Sequence, residues 1–174
     1  MLKTAVIGTG TMGQNHARVL NEISQLVGVC DVNEAAAKTV AKRFNVPSFK
    51  DYHDLPKDVD AVIVSTPTIT HKDIALDLIR SGKHVLVEKP LSNTVSSAQE
   101  IVDAAAKQGI TLAVGHIERH NPAVKYAKSA AQNGQFGKII SAHAKRVSSY
   151  PGRIGNVRVI TYRPNHKMDI IHNS

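Results

Sequence analysis

The segment Gly8-Thr9-Gly10-Thr11-Met12-Gly13 constrains what this chain can fold into more than any other. It is a G-x-G-x-x-G turn. The apolar run Ala5-Val6-Ile7 precedes it, inside a strand read from Lys3 to Ile7. A helix with Val19, Leu20 and Ile23 on one face follows it. A strand that ends in such a turn and continues as a helix presents unpaired backbone N–H groups and the positive end of a helix dipole, which suits a pyrophosphate. Gly8 permits the tight turn, Gly10 lets phosphates approach the backbone, and Gly13 lets the helix pack closely on the strand. Asp31 lies 18 residues beyond Gly13, at the end of the run Leu26-Val27-Gly28-Val29-Cys30. A carboxylate there accepts hydrogen bonds from a ribose 2′-hydroxyl and repels a 2′-phosphate, which predicts NAD rather than NADP. The alternative is a glycine-rich turn that binds no ligand, or binds another phosphate.

Five apolar runs of strand length recur: Ala5–Ile7, Leu26–Cys30, Ala61–Val64, Val85–Val87 and Leu112–Val114. None alternates with polar residues, so they predict strands buried on both faces, as in a parallel sheet. Helix-length segments separate them. Asn33 can cap the segment Glu34–Phe44, Thr70 a helix carrying Ile74, Ala75, Leu78 and Ile79, and Asn93 or Thr94 a helix that stops at Gly109. The repeated β-α order predicts an α/β fold with a doubly wound parallel sheet.

Ligands of such sheets sit at the carboxyl ends of the strands. Three further strand ends carry polar and ionisable residues: Ser65-Thr66-Pro67 with His71, then Glu88-Lys89-Pro90, then Gly115-His116 running on to Arg119, Asn121 and Pro122. Each alone reads equally as a capped turn. Together, beside a dinucleotide turn, they predict one site.

Composition narrows the class. The chain has 174 residues, with 42% apolar and 21% charged, as in ordinary globular proteins. No apolar run approaches the ~20 residues of a membrane span. The single cysteine, Cys30, reads as structural. With no signal-peptide pattern at the start, it predicts a reducing, cytoplasmic setting. No Cys/His cluster has metal-ligand spacing, so no metal is expected. The net charge of +8 is uneven: residues 140–174 hold six Lys/Arg against one acid, and the first 139 hold sixteen against thirteen. The basic end carries no nucleic-acid motif and almost no aromatic residues, so an anionic substrate or a solvated tail explains it better than nucleic acid.

The four strand ends resemble the glucose–fructose oxidoreductase / inositol dehydrogenase (Gfo/Idh/MocA) family. The matching residues are Gly8 to Gly13, Ser65-Thr66-Pro67 with His71, Gly82-Lys83-His84-Val85-Leu86-Val87-Glu88-Lys89-Pro90, and Gly115-His116 with Arg119-His120-Asn121-Pro122. The resemblance covers roughly residues 1–150. The Arg-x-Asn-Pro segment resembles most the branch that oxidises nucleotide-linked amino sugars. The resemblance implies an NAD(P)-dependent dehydrogenase, with a sugar, nucleotide sugar or cyclitol as substrate, that assembles as a homo-oligomer. It places Lys89 at the reacting hydroxyl and Glu88 near the cofactor. It puts Thr66, Pro67 and His71 on the nicotinamide side, and Arg119 and Asn121 at the substrate mouth. His71 reads equally as a helix-start residue, Arg119 and Asn121 as helix caps, and Lys89 as a surface lysine. His166 aligns with the family's catalytic histidine and Asp169 with its later acid; Tyr162 stands where the family has an earlier aspartate.

The resemblance also sets the expected domains: a Rossmann NAD-binding domain over 1–118, then an incomplete, truncated second α+β domain over 119–174. The second part supplies one strand, Lys138 to Arg146, whose unpaired edge predicts self-association. A short helix from Pro164 would carry His166. On this reading the chain alone binds NAD but turns over weakly or not at all. A redox-silent dinucleotide-binding module, or pseudoenzyme, is the competing reading, and an interaction protein that uses its basic tail on a polyanion is a third.

Overall fold

A computed structural model describes residues 1–142, 159–161 and 169–171. The chain divides into two compact units, Met1–Ile117 and Glu118–Ser174. The first contains β1 (Lys3–Ile7), α1 (Thr11–Ile23), β2 (Gln25–Cys30), α2 (Glu34–Phe44), β3 (Ser48–Phe49), β4 (Ala61–Val64), α3 (His71–Arg80), β5 (His84–Val87), α4 (Val95–Gln108) and β6 (Leu112–Val114). The strands form one sheet in the order β3-β2-β1-β4-β5-β6, and every pairing is parallel. This is the expected doubly wound sheet. The order reverses between β1 and β4, and that crevice is where such sheets take ligands.

Each face of the sheet carries its own core. Ile7, Cys30, Val62, Val64, Val85 and Val87 pack against Ile74, Leu78 and Ile79 of α3 and Ile101 and Ala105 of α4. Val6, Leu26 and Val29 pack against Ala17 of α1 and Val40 and Ala41 of α2. Fully burying one valine of this kind stabilises by roughly 1.5–3 kcal/mol. The two central strands of the α3/α4 half are covered less evenly than their unbroken apolar runs predict. Val62, Val64, Val85 and Val87 are buried, whereas Ala61, Ile63 and Leu86 are only half-buried. They line an open apolar groove of about 350 Å³ with Leu2, Leu20 and Ala113.

The capping expectations divide. Asn33 accepts from the Ala36 amide at 3.2 Å and Thr94 from the Ser97 amide at 3.1 Å. Gly109 ends α4 in the left-handed region, at φ +66°. Thr70 makes no side-chain cap. Its hydroxyl meets Thr66 Oγ1 and the Pro67 carbonyl instead, both at 2.8 Å, because a 3-10 turn over Thr68–Thr70 leads directly into α3. In α1 the buried stripe is Gly13 and Ala17, while Val19 and Ile23 face outward. Small residues win that face because the helix lies close to the sheet. Strand β3 was not expected: it is two residues long and sits at the sheet edge, too short for a pattern to reveal.

In the second unit, α5 (Pro122–Gln132) begins at Asn121, which accepts from the Ala123 amide at 3.0 Å. Two strands, β7 (Val159–Thr161) and β8 (Asp169–Ile171), pair antiparallel. Asp169 therefore lies in a strand, not on the short helix expected from Pro164; Ile170 and Ile171 are β-branched and find a partner run in Val159-Ile160-Thr161. Residues 138–142 form no strand, and the rest of the strand expected over Lys138 to Arg146 lies outside the described residues.

A Cβ built on Gly13 would sit 1.7 Å from the Gly8 carbonyl oxygen. The Gly13→Ala substitution is expected to lower the unfolding free energy by about 3 kcal/mol, the upper end of ordinary overpacking. Urea denaturation followed by circular dichroism measures it. A cost under about 1 kcal/mol would show that α1 can withdraw from the turn without loss.

Candidate functional site

The site is built from the first residue past each strand. Beyond the strand end, the backbone ladder runs one bond further at every pair. Asp31 N–H donates to Phe49 O at 3.1 Å. Gly8 N–H donates to Cys30 O, Ser65 N–H to Ile7 O, Glu88 N–H to Val64 O and Gly115 N–H to Val87 O, each at 2.8 Å. Asp31, Gly8, Ser65, Glu88 and Gly115 thus stand in one row along the carboxyl edge of the sheet. All five strand ends singled out in the sequence are brought together within the first unit.

The glycine turn sits at the centre of the row. Gly8 has φ +91°, and a Cβ there would meet the Ser65 carbonyl oxygen at 2.6 Å. Ser65 Oγ donates to the Gly8 carbonyl at 2.9 Å. Gly10 is different: nothing lies within 4 Å of a Cβ built on it, and no side chain caps the α1 N-terminus there. Two glycines fill tight backbone packing, and the third opens onto free space above uncapped N–H groups. Thr11 and Met12, the first residues of α1, are exposed; Thr9 is buried.

Asp31 ties into this turn. Its Oδ2 accepts from Thr9 N–H at 2.7 Å and Thr9 Oγ at 2.9 Å, and its Oδ1 from Asn33 N–H at 2.9 Å. Partial burial pushes the Asp31 carboxyl up, but the Thr9 amide, the Asn33 amide and the Thr9 hydroxyl outweigh it and hold the group below its ordinary value. The carboxylate keeps acceptor capacity beyond these three bonds. Next to it, burial pushes the Cys30 thiol up to about 12, helped by Asp51 and Asp31, so Cys30 stays a protonated core residue.

Two histidines hold the right half of the row. His71 is fully buried at the start of α3. Its Nδ1 lies 2.9 Å from the Pro90 carbonyl and its Nε2 2.9 Å from the Thr66 carbonyl. It joins the loop after β4 to the loop after β5 and is a clamp rather than a surface that faces a ligand. Thr66 is half-buried and Pro67 exposed beside it. Glu88 is 5% exposed, and its Oε1 lies 2.8 Å from Nε2 of His16, in the second turn of α1. His16 was not among the residues the sequence pointed to. It stands 72 residues from Glu88, and no local pattern marks it. Lys89 follows with its side chain exposed, across a cis Lys89–Pro90 bond.

Arg119 and Asn121 belong to the second unit. Asn121 caps α5 and donates to Glu118 Oε2 at 3.0 Å. Arg119 lines a cavity of about 630 Å³ with Lys125, Lys128 and Ser129. His166 and Tyr162 lie outside the described residues. No described helix is long and apolar enough to cross a membrane.

The arrangement suits an NAD-type dinucleotide: a glycine opening over uncapped helix N–H groups for the pyrophosphate, and an ionised acid at the neighbouring strand end for a ribose. Comparison with known proteins gives the same picture. The profile of the family described as "Oxidoreductase family, NAD-binding Rossmann fold" (GFO_IDH_MocA) matches residues 2–116. The chain is 34% identical over 169 residues to UDP-N-acetylglucosamine 3-dehydrogenase of Acidithiobacillus ferrooxidans, covering 97% of this chain and 53% of that one. It is 28% identical over 181 residues to inositol 2-dehydrogenase of Salmonella typhimurium, covering 98% and 54%. Among solved structures it resembles GenD2 from gentamicin A biosynthesis in complex with NAD, with TM-score 0.74, 33% identity, and 77% of this chain and 40% of that one covered. The chain spans about half the length of the curated relatives it matches.

Two outcomes follow from these bonds. The Asp31 carboxyl is held low in the fold, so its contribution to stability is full above the ordinary value of 3.8 and is lost as pH falls through the lower folded value. Wild type is therefore expected to exceed D31N in stability by a constant margin above about pH 5, and the margin should shrink below about pH 4 in urea midpoints taken across pH. A margin that grows on acidification would contradict the sign. For His71, H71F removes the ring nitrogens that lie against the Thr66 and Pro90 carbonyls, and the hydrogen bond lost leaves a carbonyl without its donor at a cost of about 1–3 kcal/mol. Calorimetry is expected to show that loss, with H71Q recovering part of it.

Proposed function

The chain belongs to the Gfo/Idh/MocA oxidoreductase family, and from that premise we propose that its first unit binds NAD and presents Lys89 to a hydroxyl of a sugar, nucleotide sugar or cyclitol. One observation carries the reading: Gly10 opens onto free space at the uncapped N-terminus of α1, in the turn that begins at Gly8 and is bonded through Thr9 to the ionised Asp31. Gly8, Thr9, Gly10, Thr11, Met12 and Gly13 form the pyrophosphate cradle, and Asp31 faces the ribose and disfavours a 2′-phosphate. Thr66, Pro67, Glu88 and Lys89 border the nicotinamide side, with His71 fixing their loops from beneath. When bound, the nicotinamide accepts or returns a hydride.

Lys89 supplies the electrostatics. An ammonium beside the reacting hydroxyl stabilises negative charge that develops on its oxygen and assists proton removal. Its exposure at the end of β5 leaves it free to meet a substrate. Similarity to a UDP-N-acetylglucosamine dehydrogenase supports a nucleotide-linked sugar within this class. The family resemblance assigns substrate binding to Arg119 and Asn121 and a second catalytic role to His166. The domain reading is a nucleotide domain over 1–118 and a substrate and oligomerisation region over 119–174, working as a homo-oligomer.

Titration of the purified chain with NADH and NADPH, followed by nicotinamide fluorescence, tests the cofactor assignment. NADH is expected to bind more tightly, and D31N to narrow the difference. Equal affinity in the wild type would remove the role given to Asp31. K89M is expected to keep NADH affinity while abolishing any sugar- or cyclitol-dependent reduction of NAD. NADH binding with no turnover across such a substrate panel would favour a redox-silent dinucleotide module.

A further inference from the structure

The proposed function uses Lys89 but leaves the contact between Glu88 and His16 behind it without a role. Glu88 is a nearly inaccessible carboxylate, and such a group is tolerated only where its oxygens are met by donors. Each oxygen has its own: Oε1 faces His16 Nε2 at 2.8 Å, and Oε2 accepts from the Lys89 amide at 3.1 Å. Its place is moulded by a third element. A Cβ built on Gly115 would lie 2.9 Å from the Glu88 carboxyl carbon and equally close to Oε2, so only glycine leaves the carboxylate where it is. The Glu88 amide is itself bound to Val64 O. Helix α1, β5 and the end of β6 thus converge on one carboxylate. For stability alone, apolar side chains of the same volume serve a buried site as well or better.

We propose that His16 and Glu88 are positioning residues for Lys89: they brace its backbone to the helix whose N-terminus cradles the pyrophosphate, with Gly115 as the socket. The brace makes nucleotide seating and lysine placement one rigid arrangement, because α1 cannot shift without drawing Glu88 and the Lys89 amide with it. It rests on the reading of Lys89 and the glycine turn given above. Neither His16 nor Glu88 need touch substrate for this role.

The test reads Lys89 directly. The full chain is treated with acetic anhydride with and without NADH, and the extent of Lys89 acetylation is followed by peptide mass spectrometry, with NADH affinity measured separately by fluorescence. In the wild type, NADH is expected to slow acetylation of Lys89 severalfold. In H16A and G115A, Lys89 is expected to acetylate severalfold faster in the free protein and to lose its response to NADH, while NADH affinity changes little. H16Q, which can present an amide donor to the same Glu88 oxygen, is expected to restore wild-type behaviour. Circular dichroism identifies any variant that does not fold, and whichever of H16A and G115A folds then decides. Lys89 acetylation equal to wild type in those variants overturns the brace, as does failure of H16Q to rescue. If the wild type binds no NADH, the nucleotide assignment fails, while the free-protein acetylation rates still decide whether the brace holds Lys89.

Discussion

The carboxyl edge of this sheet depends on how closely three stretches of backbone meet at Gly8. The carbonyl of Gly8 is bound by Ser65 Oγ on one side and covered by Gly13 of α1 on the other. A side chain at either glycine would occupy space already filled by backbone. This contact fixes the height of α1 above the sheet and therefore where its uncapped N-terminus points. It also fixes the distance between β1 and β4, the two strands on either side of the topological reversal. The remaining row of strand ends is referred to that junction, one ladder bond at a time.

Much of this was legible in the sequence because the determinants are local. A strand that runs directly into G-x-G-x-x-G and a helix has few folds open to it, and Asp31 falls at the next strand end by spacing alone. The runs at Ala61–Val64, Val85–Val87 and Leu112–Val114 are strands because nothing in them alternates and turns flank them. The details that escaped are those settled by tertiary neighbours. Val19 and Ile23 look like the buried face of α1 by hydrophobicity, yet Gly13 and Ala17 take it because the helix must approach closely. Thr70 has the right chemistry for a cap but spends its hydroxyl on Thr66 and Pro67. The pairing of Ile170 and Ile171 with Val159 and Ile160 depends on a partner several residues away, which a short window reads as a helix end.

The site itself was only half legible. Which strand ends carry polar residues follows from the fold class, and Lys89 stands out beside a proline. How the loops are held does not follow. His71 reads equally as a nicotinamide-side residue and as a helix-start residue, and neither reading shows that its two ring nitrogens lie against carbonyls of two different loops. His16 carries no signal at all, because its partner lies 72 residues on. In both cases a histidine does the joining. An imidazole is small enough to fit between elements and polar enough at both ends to bind each of them.

The bonds from Thr9 to Asp31 have a bearing on how such a chain can change its cofactor. Asp31, the acid we propose to discriminate at the ribose, also anchors the first peptide of the glycine turn. Evolution, or an engineer, cannot exchange it for a small neutral residue to admit a 2′-phosphate without also releasing the Thr9 amide. On the proposed reading, specificity and the shape of the cradle are written at one position. A switch of dinucleotide therefore has to travel as a set of changes, with a new partner for Thr9 arriving before or together with the loss of the carboxylate.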